Sequence, residues 1–495
     1  GLYIFGMKAL SFNPSVCLMS PLLAWILLLL YALLITMTAT VVILENRTPA
    51  KTVAWIIVLV GMPVVGLVLF YFFGQNIRKE RYIERHSYER LTHEMLKDHA
   101  KDAHLTGGKY QRLMEFIERD HRTILTSANA TQLVETGREW IQSLLRDFQQ
   151  AQHHIHLQTY IIENDAVGRL VADALVDCAK RGVEVRLLYD DVGCWNVDAA
   201  FFCRMQQAGV EVQPFLPVRF PSLTHRANYR NHRKVCIIDG RVGYVGGMNL
   251  ALRYMHEQGK ESGAWRDLHL RMEGAAVHGL QRIFATDWYF MRKELLGNDA
   301  YFPLVKPQAP IAHPTLIQIV SANPVARYSD LMYSLTWVIQ NAKRYLYIQT
   351  PYFMPPEVVL QALQTAALSG VDVRVMLPAK PDAHLLRWGN ASYVEDALAA
   401  GIKVYEYRSG FLHSKCAVAD DDWCTIGSTN MDARSFDNNF ETNAFIYDSL
   451  MAEHVRQRFV DDMQACQEMD LATWRKRPLY KKFMESITRI FSPIL

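Results

Sequence analysis

Two stretches near the start of the chain carry no charge. Residues 21–44 read PLLAWILLLLYALLITMTATVVIL and residues 53–73 read VAWIIVLVGMPVVGLVLFYFF. At about 1.5 Å of rise per residue, a helix of either length crosses a hydrocarbon core about 30 Å thick. The first run is too long for the apolar core of a signal peptide, and the second follows within ten residues. The pattern therefore predicts two retained membrane helices, 21–44 and 53–73, behind an N-terminal segment 1–20. Residues 74–122 turn charged and polar around Gly107-Gly108 and read as a surface-running helix and juxtamembrane linker.

Beyond residue 122 the chain is written twice. IHLQTYII (155–162) and RYLYIQTPYF (344–353) are strand-like runs that each carry Gln-Thr, at Gln158-Thr159 and Gln349-Thr350. Each is followed by a helix-period stretch, a glycine and an apolar strand: GRLVADALVDCAKRGVEVRLLYD (168–190) and EVVLQALQTAALSGVDVRVMLP (357–378). AGVEV (208–212) then matches AGIKV (400–404). Strand–helix–strand order with glycine at the helix exit predicts crossover units and a largely parallel sheet. The expected fold is α/β, with two pseudo-symmetric halves, 123–308 and 309–495, behind a two-helix transmembrane hairpin. The four prolines of FPLVKPQAPIAHP (302–314) mark the boundary.

Composition narrows the class. With 50% hydrophobic and 21% charged residues over 495 positions, disorder, collagen and a simple coiled coil are excluded. A net charge of +3 does not point to a nucleic-acid partner. The eight cysteines (Cys17, Cys178, Cys194, Cys203, Cys236, Cys416, Cys424, Cys466) form no CxxC pair and read as buried, reduced thiols. His86, His93, His99 and His104 are irregularly spaced and suggest no metal site. Arg78, Lys79, Arg81 and Arg85 follow the second apolar run, whereas only Lys8 precedes the first. The positive-inside rule then places residues 74–495 in the cytoplasm, against the weaker pull of Arg47 and Lys51 in the connector.

The repeat also carries the candidate chemistry. HRKVCIID supplies His232, Lys234 and Asp239, and HSKCAVAD supplies His413, Lys415 and Asp420. Six residues further on stand Gly246-Gly247-Met248-Asn249 and Gly427-Ser428-Thr429-Asn430, each position 181 residues from its counterpart. One His-x-Lys-x4-Asp string is weak; two in register within matching folds are not chance. On a strand, residues i and i+2 share a face, so His232 and Lys234 point one way, as do His413 and Lys415. Two such strands meeting at a two-fold-like interface would gather two imidazoles and two ammonium groups around one anion, with Asn249 and Asn430 as amide donors. That is a phosphate pocket with a histidine on each side, and the lysines can carry the charge a metal would otherwise stabilise. Asp267 (WRDLHL) and Glu441 (NNFETNAF) are candidates to orient the histidines. For Asp239 and Asp420, turn-capping outweighs direct chemistry. His225, His269 and His278 lack repeat partners and read as packing or surface residues.

These residues resemble the HKD signature of the phospholipase D superfamily. RNHRKVCIIDGRVGYVGGMNLA, WRDLHLRMEG, QTPYFMPP, GFLHSKCAVADDDWCTIGSTNMDARSFDNNFE and ENRTPAKTVAW together are similar to bacterial cardiolipin synthases, from about residue 40 to the end. The alanine in VADDDW departs from the pattern without touching the histidine, lysine or aspartate. The resemblance implies phospholipase D-like α-β-α halves and metal- and cofactor-independent phosphatidyl transfer at the cell (inner) membrane. It implies phosphatidylglycerol and other anionic phospholipids as partners, cardiolipin and glycerol as products, and a covalent phosphatidyl-histidine. It further implies His232 as nucleophile and His413 as acid/base. Lys234, Lys415, Asn249, Asn430 and Ser428 would hold the phosphoryl oxygens, and Asp267 and Glu441 would stand behind the histidines. The motif does not separate a lipid hydroxyl from water as acceptor, nor phosphatidylglycerol from a lipid such as phosphatidylethanolamine. A membrane-tethered nuclease lacks support in the charge pattern, and a non-catalytic scaffold does not explain two complete motifs. The tail RPLYKKFMESITRIFSPIL (477–495) is either an interfacial amphipathic segment or a helix packed on the domain.

Overall fold

The computed structural model describes residues 21–44, 49–62, 64–74, 87, 108–119, 123–218, 228–255, 264–304, 315–326 and 328–492. It divides into two compact units, Gly1–Gln75 and Asn76–Leu495.

In the first unit, the apolar run Pro21–Leu44 is one helix. Its threonines are satisfied within it: the hydroxyls of Thr36, Thr38 and Thr40 donate to the carbonyls of Ala32, Leu34 and Thr36, each at 2.8 Å. The second apolar run is not the single helix its composition predicts. It forms Pro49–Gly61, Val65–Leu69 and a π-helical turn Phe70–Gly74. The sequence has Pro63 at this interruption, and a proline within a helical run lacks the amide proton that the helix needs; Val64 stands at φ 65°. Among the described residues only Trp25–Leu44 is long and apolar enough to span a bilayer as one helix. The two runs still pack together. Tyr31 donates to the Leu59 carbonyl at 3.3 Å, and Val42, Leu59 and Phe70 form a small core. The segment 1–20, residues 45–48 and the basic cluster Arg78–Arg85 lie outside the described residues, as do His86, His93, His99, His104 and His225.

The second unit is built on one long mixed sheet. At its centre Thr126–Val134 and Thr315–Ala322 pair antiparallel. Outward from the first lie His269–Glu273, Val242–Gly246, Val235–Ile238, His154–Thr159, Glu184–Asp190 and Glu211–Phe215. Outward from the second lie Asn439–Tyr447, Trp423–Gly427, Cys416–Ala419, Tyr345–Gln349, Asp372–Pro378 and Lys403–Tyr407, with Cys466–Glu468 on the edge. The same order on both sides of the central pair is the sequence repeat made visible.

The sheet is not largely parallel. Along the sheet only the three crossover-linked outer strands of each half run parallel to their neighbours and the rest pair antiparallel, apart from the short branch Arg230–Asn231, which pairs parallel with Asn439–Phe440. The signal for this lay in the motif itself. Asp239-Gly240 (φ 54° and 63°) and Asp420-Asp421 (φ 54° and 61°) are left-handed pairs. They open the three-residue loops between the paired residues Ile238 and Val242 and between Ala419 and Trp423, and left-handed residues in so short a loop close an antiparallel hairpin.

Helices cover both faces. Ala276–Arg292 and Ser449–Met463 lie over a core that draws Ile237, Phe284 and Trp288 from the first half and Ile426, Phe440 and Phe459 from the second. On the opposite face each half has its own core, around Phe148, Leu175 and Tyr244, and around Leu363, Trp423 and Phe445. At roughly 1.5–3 kcal/mol per fully buried large side chain, the shared core makes the halves energetically dependent on each other.

Candidate active site

Each motif is stitched to the opposite half before its histidine is reached. Arg230–Asn231 pairs in parallel with Asn439–Phe440, and the His232 amide donates to the Phe440 carbonyl at 3.0 Å. Phe411–Leu412 pairs in parallel with Trp265–Arg266, and the His413 amide donates to the Arg266 carbonyl at 2.7 Å. The next residue on each receiving strand is the acid. His232 Nδ1 therefore lies 3.0 Å from Glu441, and His413 Nδ1 lies 2.6 Å from Asp267 Oδ2. The carboxylate that orients each imidazole belongs to the other half, a crossing that sequence order did not reveal. With both Nδ1 atoms engaged, Nε2 is left as the reacting nitrogen on each ring.

His232, Lys234, His413 and Lys415 occupy the extended segments just ahead of the strands Val235–Ile238 and Cys416–Ala419. Each lysine curls back on its own motif: Lys234 Nζ donates to the His232 carbonyl at 2.6 Å, and Lys415 Nζ donates to the His413 carbonyl. Tyr160 packs edge-on to His232 (centroids 4.9 Å apart) and beneath Lys234 (5.1 Å). Trp265 and Phe411 flank His413.

Burial controls the protonation of this set. It pushes His232 down to about 4, with Lys234 adding to the fall and Glu441 opposing it. His413 is driven well below its ordinary value by burial, then by Lys415, Lys234 and His232. Both imidazoles are thus neutral near neutral pH. Burial lowers Lys415 to about 8 and takes Lys234 well below its usual range. The acids diverge. Burial raises Asp267 to about 7 against the pull of Lys415. Burial works the same way on Glu441, but His232, Lys234 and Ser428 outweigh it and hold it below its ordinary value. Groups from both halves shift one another, which places the two motifs in one electrostatic environment.

The remaining predicted residues separate by role. Asp239 accepts the amides of Gln152, His153 and His154 at 2.7–2.9 Å. Asp420 accepts those of Lys343, Arg344 and Tyr345 at 2.7–3.1 Å, and pairs with Lys109. Both carboxylates close the hairpin end of the motif strand onto the neighbouring strand's entry. Both thus make the backbone hydrogen bonds expected of turn-capping residues. Asn249 accepts from the Ile161 amide at 3.2 Å and donates to the Tyr254 hydroxyl at 2.9 Å. Asn430 Oδ1 is buried without a hydrogen-bond partner among the described residues. The Ser428 hydroxyl donates to Glu441 at 2.5 Å, so its proton is engaged by that acid. His269 stacks on Trp140 at 4.2 Å and His278 packs against Phe302, both packing roles.

Several functional neighbours went unread in the sequence. Tyr254 lies 3.2 Å from His413 Nδ1. Arg233, between His232 and Lys234, forms a buried pair with Asp287 at 2.5 Å, and Gln158 also donates to that acid. In the second half Gln349 donates to Asp462 at 2.8 Å, and the arginine on that acid is Arg266, at 3.0 Å. The repeated Gln-Thr pairs were the available signal, since each glutamine meets a helix acid beneath the site. The seven described cysteines are free, and no described cluster of His, Cys, Asp and Glu is arranged to hold a metal. Chemically, the arrangement gathers two oriented imidazoles and two buried lysines, a set suited to an anion that would favour the charged form of the lysines.

Comparison with known proteins bears on what that anion is. Residues 144–288 and 335–463 match the model described as cardiolipin synthase, phospholipase D-like domain, and residues 27–75 match a phospholipase D-nuclease N-terminal model. The chain is 37% identical over 482 residues to the major cardiolipin synthase of Bacillus subtilis, covering 95% of this chain and 99% of that protein. It is 38% identical over 459 residues to cardiolipin synthase 2 of Bacillus anthracis (92% and 89%). Among solved structures, phosphatidylserine synthase of Haemophilus influenzae aligns with a TM-score of 0.59 at 14% identity, over 78% of this chain and 100% of that one. That last likeness supports the fold.

Proposed function

The chain belongs to the cardiolipin synthase family of phospholipase D-like proteins, and on that premise we propose how it joins two phosphatidylglycerols into cardiolipin and glycerol. The observation that carries the reading is the crossed pairing, His232 with Glu441 and His413 with Asp267. It gives each half an oriented imidazole that depends on the other half.

His232 Nε2, neutral and held by an ionised Glu441, attacks the phosphorus of the first phosphatidylglycerol. The His413–Asp267 pair, whose acid keeps a proton up to about pH 7, delivers that proton to the departing glycerol oxygen. The product of this step is a phosphatidyl-His232 and free glycerol. A primary hydroxyl of the second phosphatidylglycerol then returns a proton to the same pair and attacks phosphorus, releasing His232. Lys234 and Lys415 balance the phosphoryl charge throughout, with Asn430 and Asn249 as further amide donors. The anionic phosphodiester also favours protonation of both lysines against the burial that depresses them.

The catalytic body works on the cytoplasmic face of a bacterial cell membrane, in which the apolar N-terminal helices hold it beside its lipid substrates. Phosphatidylglycerol and other anionic phospholipids are its partners, with no nucleic acid and no metal. Purified protein given phosphatidylglycerol alone should yield cardiolipin and glycerol in equal amounts, with undiminished rate in excess EDTA. Phosphatidic acid as the main lipid product would instead identify a hydrolase.

A further inference from the structure

The helix Leu479–Phe491 is built inside out. Leu479, Phe483, Ile487 and Ile490 recur at helical spacing, with Tyr480, Met484 and Phe491 beside them. A helix of that pattern normally turns its apolar stripe inward. Here Leu479 is 82% exposed, Phe483 65% and Ile490 74%, while the buried positions are Glu485 and Thr488. The polar face is the one that docks. Arg477 pairs with Glu485 at 2.8 Å and with Glu395 at 2.8 Å, and Arg489 pairs with Asp396 at 2.7 Å. Tyr393 and Ser492 share a hydrogen bond at 2.9 Å. Glu395, Asp396 and Tyr393 all lie on the helix His384–Ala399.

This fastening leaves the apolar side facing outward by construction. Lys476, Lys481 and Lys482 make no ion pair among the described residues; Lys482 falls at the edge of the exposed stripe, Lys481 falls on the docked side, and Lys476 precedes the helix. A broad exposed apolar face with a lysine at its edge, Lys482, and a second lysine, Lys476, just ahead of the helix complements a surface that is apolar within and anionic at its edge. The supporting helix is tied to the site. Asn390 accepts from the Phe353 amide at 2.8 Å and donates to the Pro351 carbonyl at 2.9 Å. These residues directly follow Gln349-Thr350, and Tyr352 between them bonds Asp382, whose charge acts on Lys415.

We propose that the outward face of Leu479–Phe491 lies in the headgroup–acyl boundary of an anionic bilayer, a second membrane contact that holds the C-terminal half against the lipid. The contact rests on the helix itself, and its test reads lipid proximity independently of catalysis. The full-length protein is reconstituted in vesicles of phosphatidylglycerol and phosphatidylcholine with photoreactive benzoylphenylalanine in place of Phe483 or, as a control, of the exposed Leu368. Illumination should attach phospholipid to the peptide holding position 483 at about tenfold the yield at 368. Vesicles of phosphatidylcholine alone should lower the yield at 483 severalfold. Cross-links from 483 to a second copy of the chain, or lipid yields no higher than at 368, would overturn the contact. Equal yields in the two vesicle types would overturn its anionic character. The double variant Phe483→Ser, Ile490→Ser should lose about tenfold in turnover on vesicles and stay within twofold of the parent on detergent-dispersed phosphatidylglycerol. An equal loss in both media would contradict the docking role.

Discussion

The two halves present the same histidine, lysine and asparagine in the same places, but they wire them differently. His232 faces a glutamate whose carboxylate also accepts from the Ser428 hydroxyl at 2.5 Å. His413 faces a shorter aspartate with no such hydroxyl; at the position matching Ser428 stands Gly247, where a Cβ would meet Asp267 Oδ1 at 2.2 Å. His413 has Tyr254 at 3.2 Å instead. The extra hydroxyl helps to keep Glu441 ionised, whereas burial lets Asp267 hold its proton to about pH 7. On the proposed mechanism these differences suit the two copies to different roles. An imidazole on an ionised acid is ready to act as a nucleophile, and one on a proton-sharing acid is ready to donate and take back a proton.

The largest effects should come from breaking the crossed pairs. Glu441→Gln and Asp267→Asn each replace an acceptor by an amide that can favour the wrong imidazole tautomer. Each should cost on the order of 10³-fold in kcat with the fold intact by circular dichroism. A variant of either acid within tenfold of the parent would break the comparison. Lys234→Ala and Lys415→Ala should each cost about 10²-fold by removing a charge-assisted donor, and Lys→Arg should not restore the rate, because a planar fork does not superpose on a point ammonium. Either lysine variant within threefold of the parent contradicts a shared pocket. Burial has lowered Lys415 to about 8, so the ammonium is present below that pH and is lost as the pH rises through it. The proton that the His413–Asp267 pair must deliver is lost earlier, through about pH 7, so the kcat/KM profile should begin to fall on its alkaline side from about pH 7 and steepen through about 8.

Much of this site was legible in the chain. The register of 181 residues between His232 and His413 names the motif and its Gly-x-x-Asn tail, and Asp267 and Glu441 stand out as the acids that follow. The crossing of acids between halves was not legible, because it depends on which strand meets Arg230–Asn231 and Phe411–Leu412. Those contacts join residues about 150–210 positions apart, and no local pattern encodes them. The antiparallel hairpins were legible in Asp239-Gly240 but were outweighed by the crossover pattern around them. Pro63 likewise stood in plain view inside an apolar run whose length argued for one helix. The outward face of Leu479–Phe491 needed the structure, since a helical apolar stripe reads the same whether it faces a core or a bilayer.

Smaller substitutions sharpen the contrast at the matched positions. Gly247→Ala should displace the Asp267 carboxylate and lower kcat by about 30-fold, while Ser428→Ala should cost less than tenfold, since Glu441 keeps its contact with His232. Steady-state kinetics on the two variants decide the matter. Equal losses would mean that the halves support their acids in the same way.

The division of labour is tested most directly by trapping the intermediate. Labelled phosphatidylglycerol is given to His413→Asn and to His232→Ala, the reactions are quenched without acid, and the label is mapped to peptides. In His413→Asn the adduct should form slowly and then persist on the peptide holding His232, because no base activates the incoming hydroxyl. In His232→Ala no adduct should form. Label on His413 in the His232→Ala variant, with none on His232 in the other, would contradict the assignment.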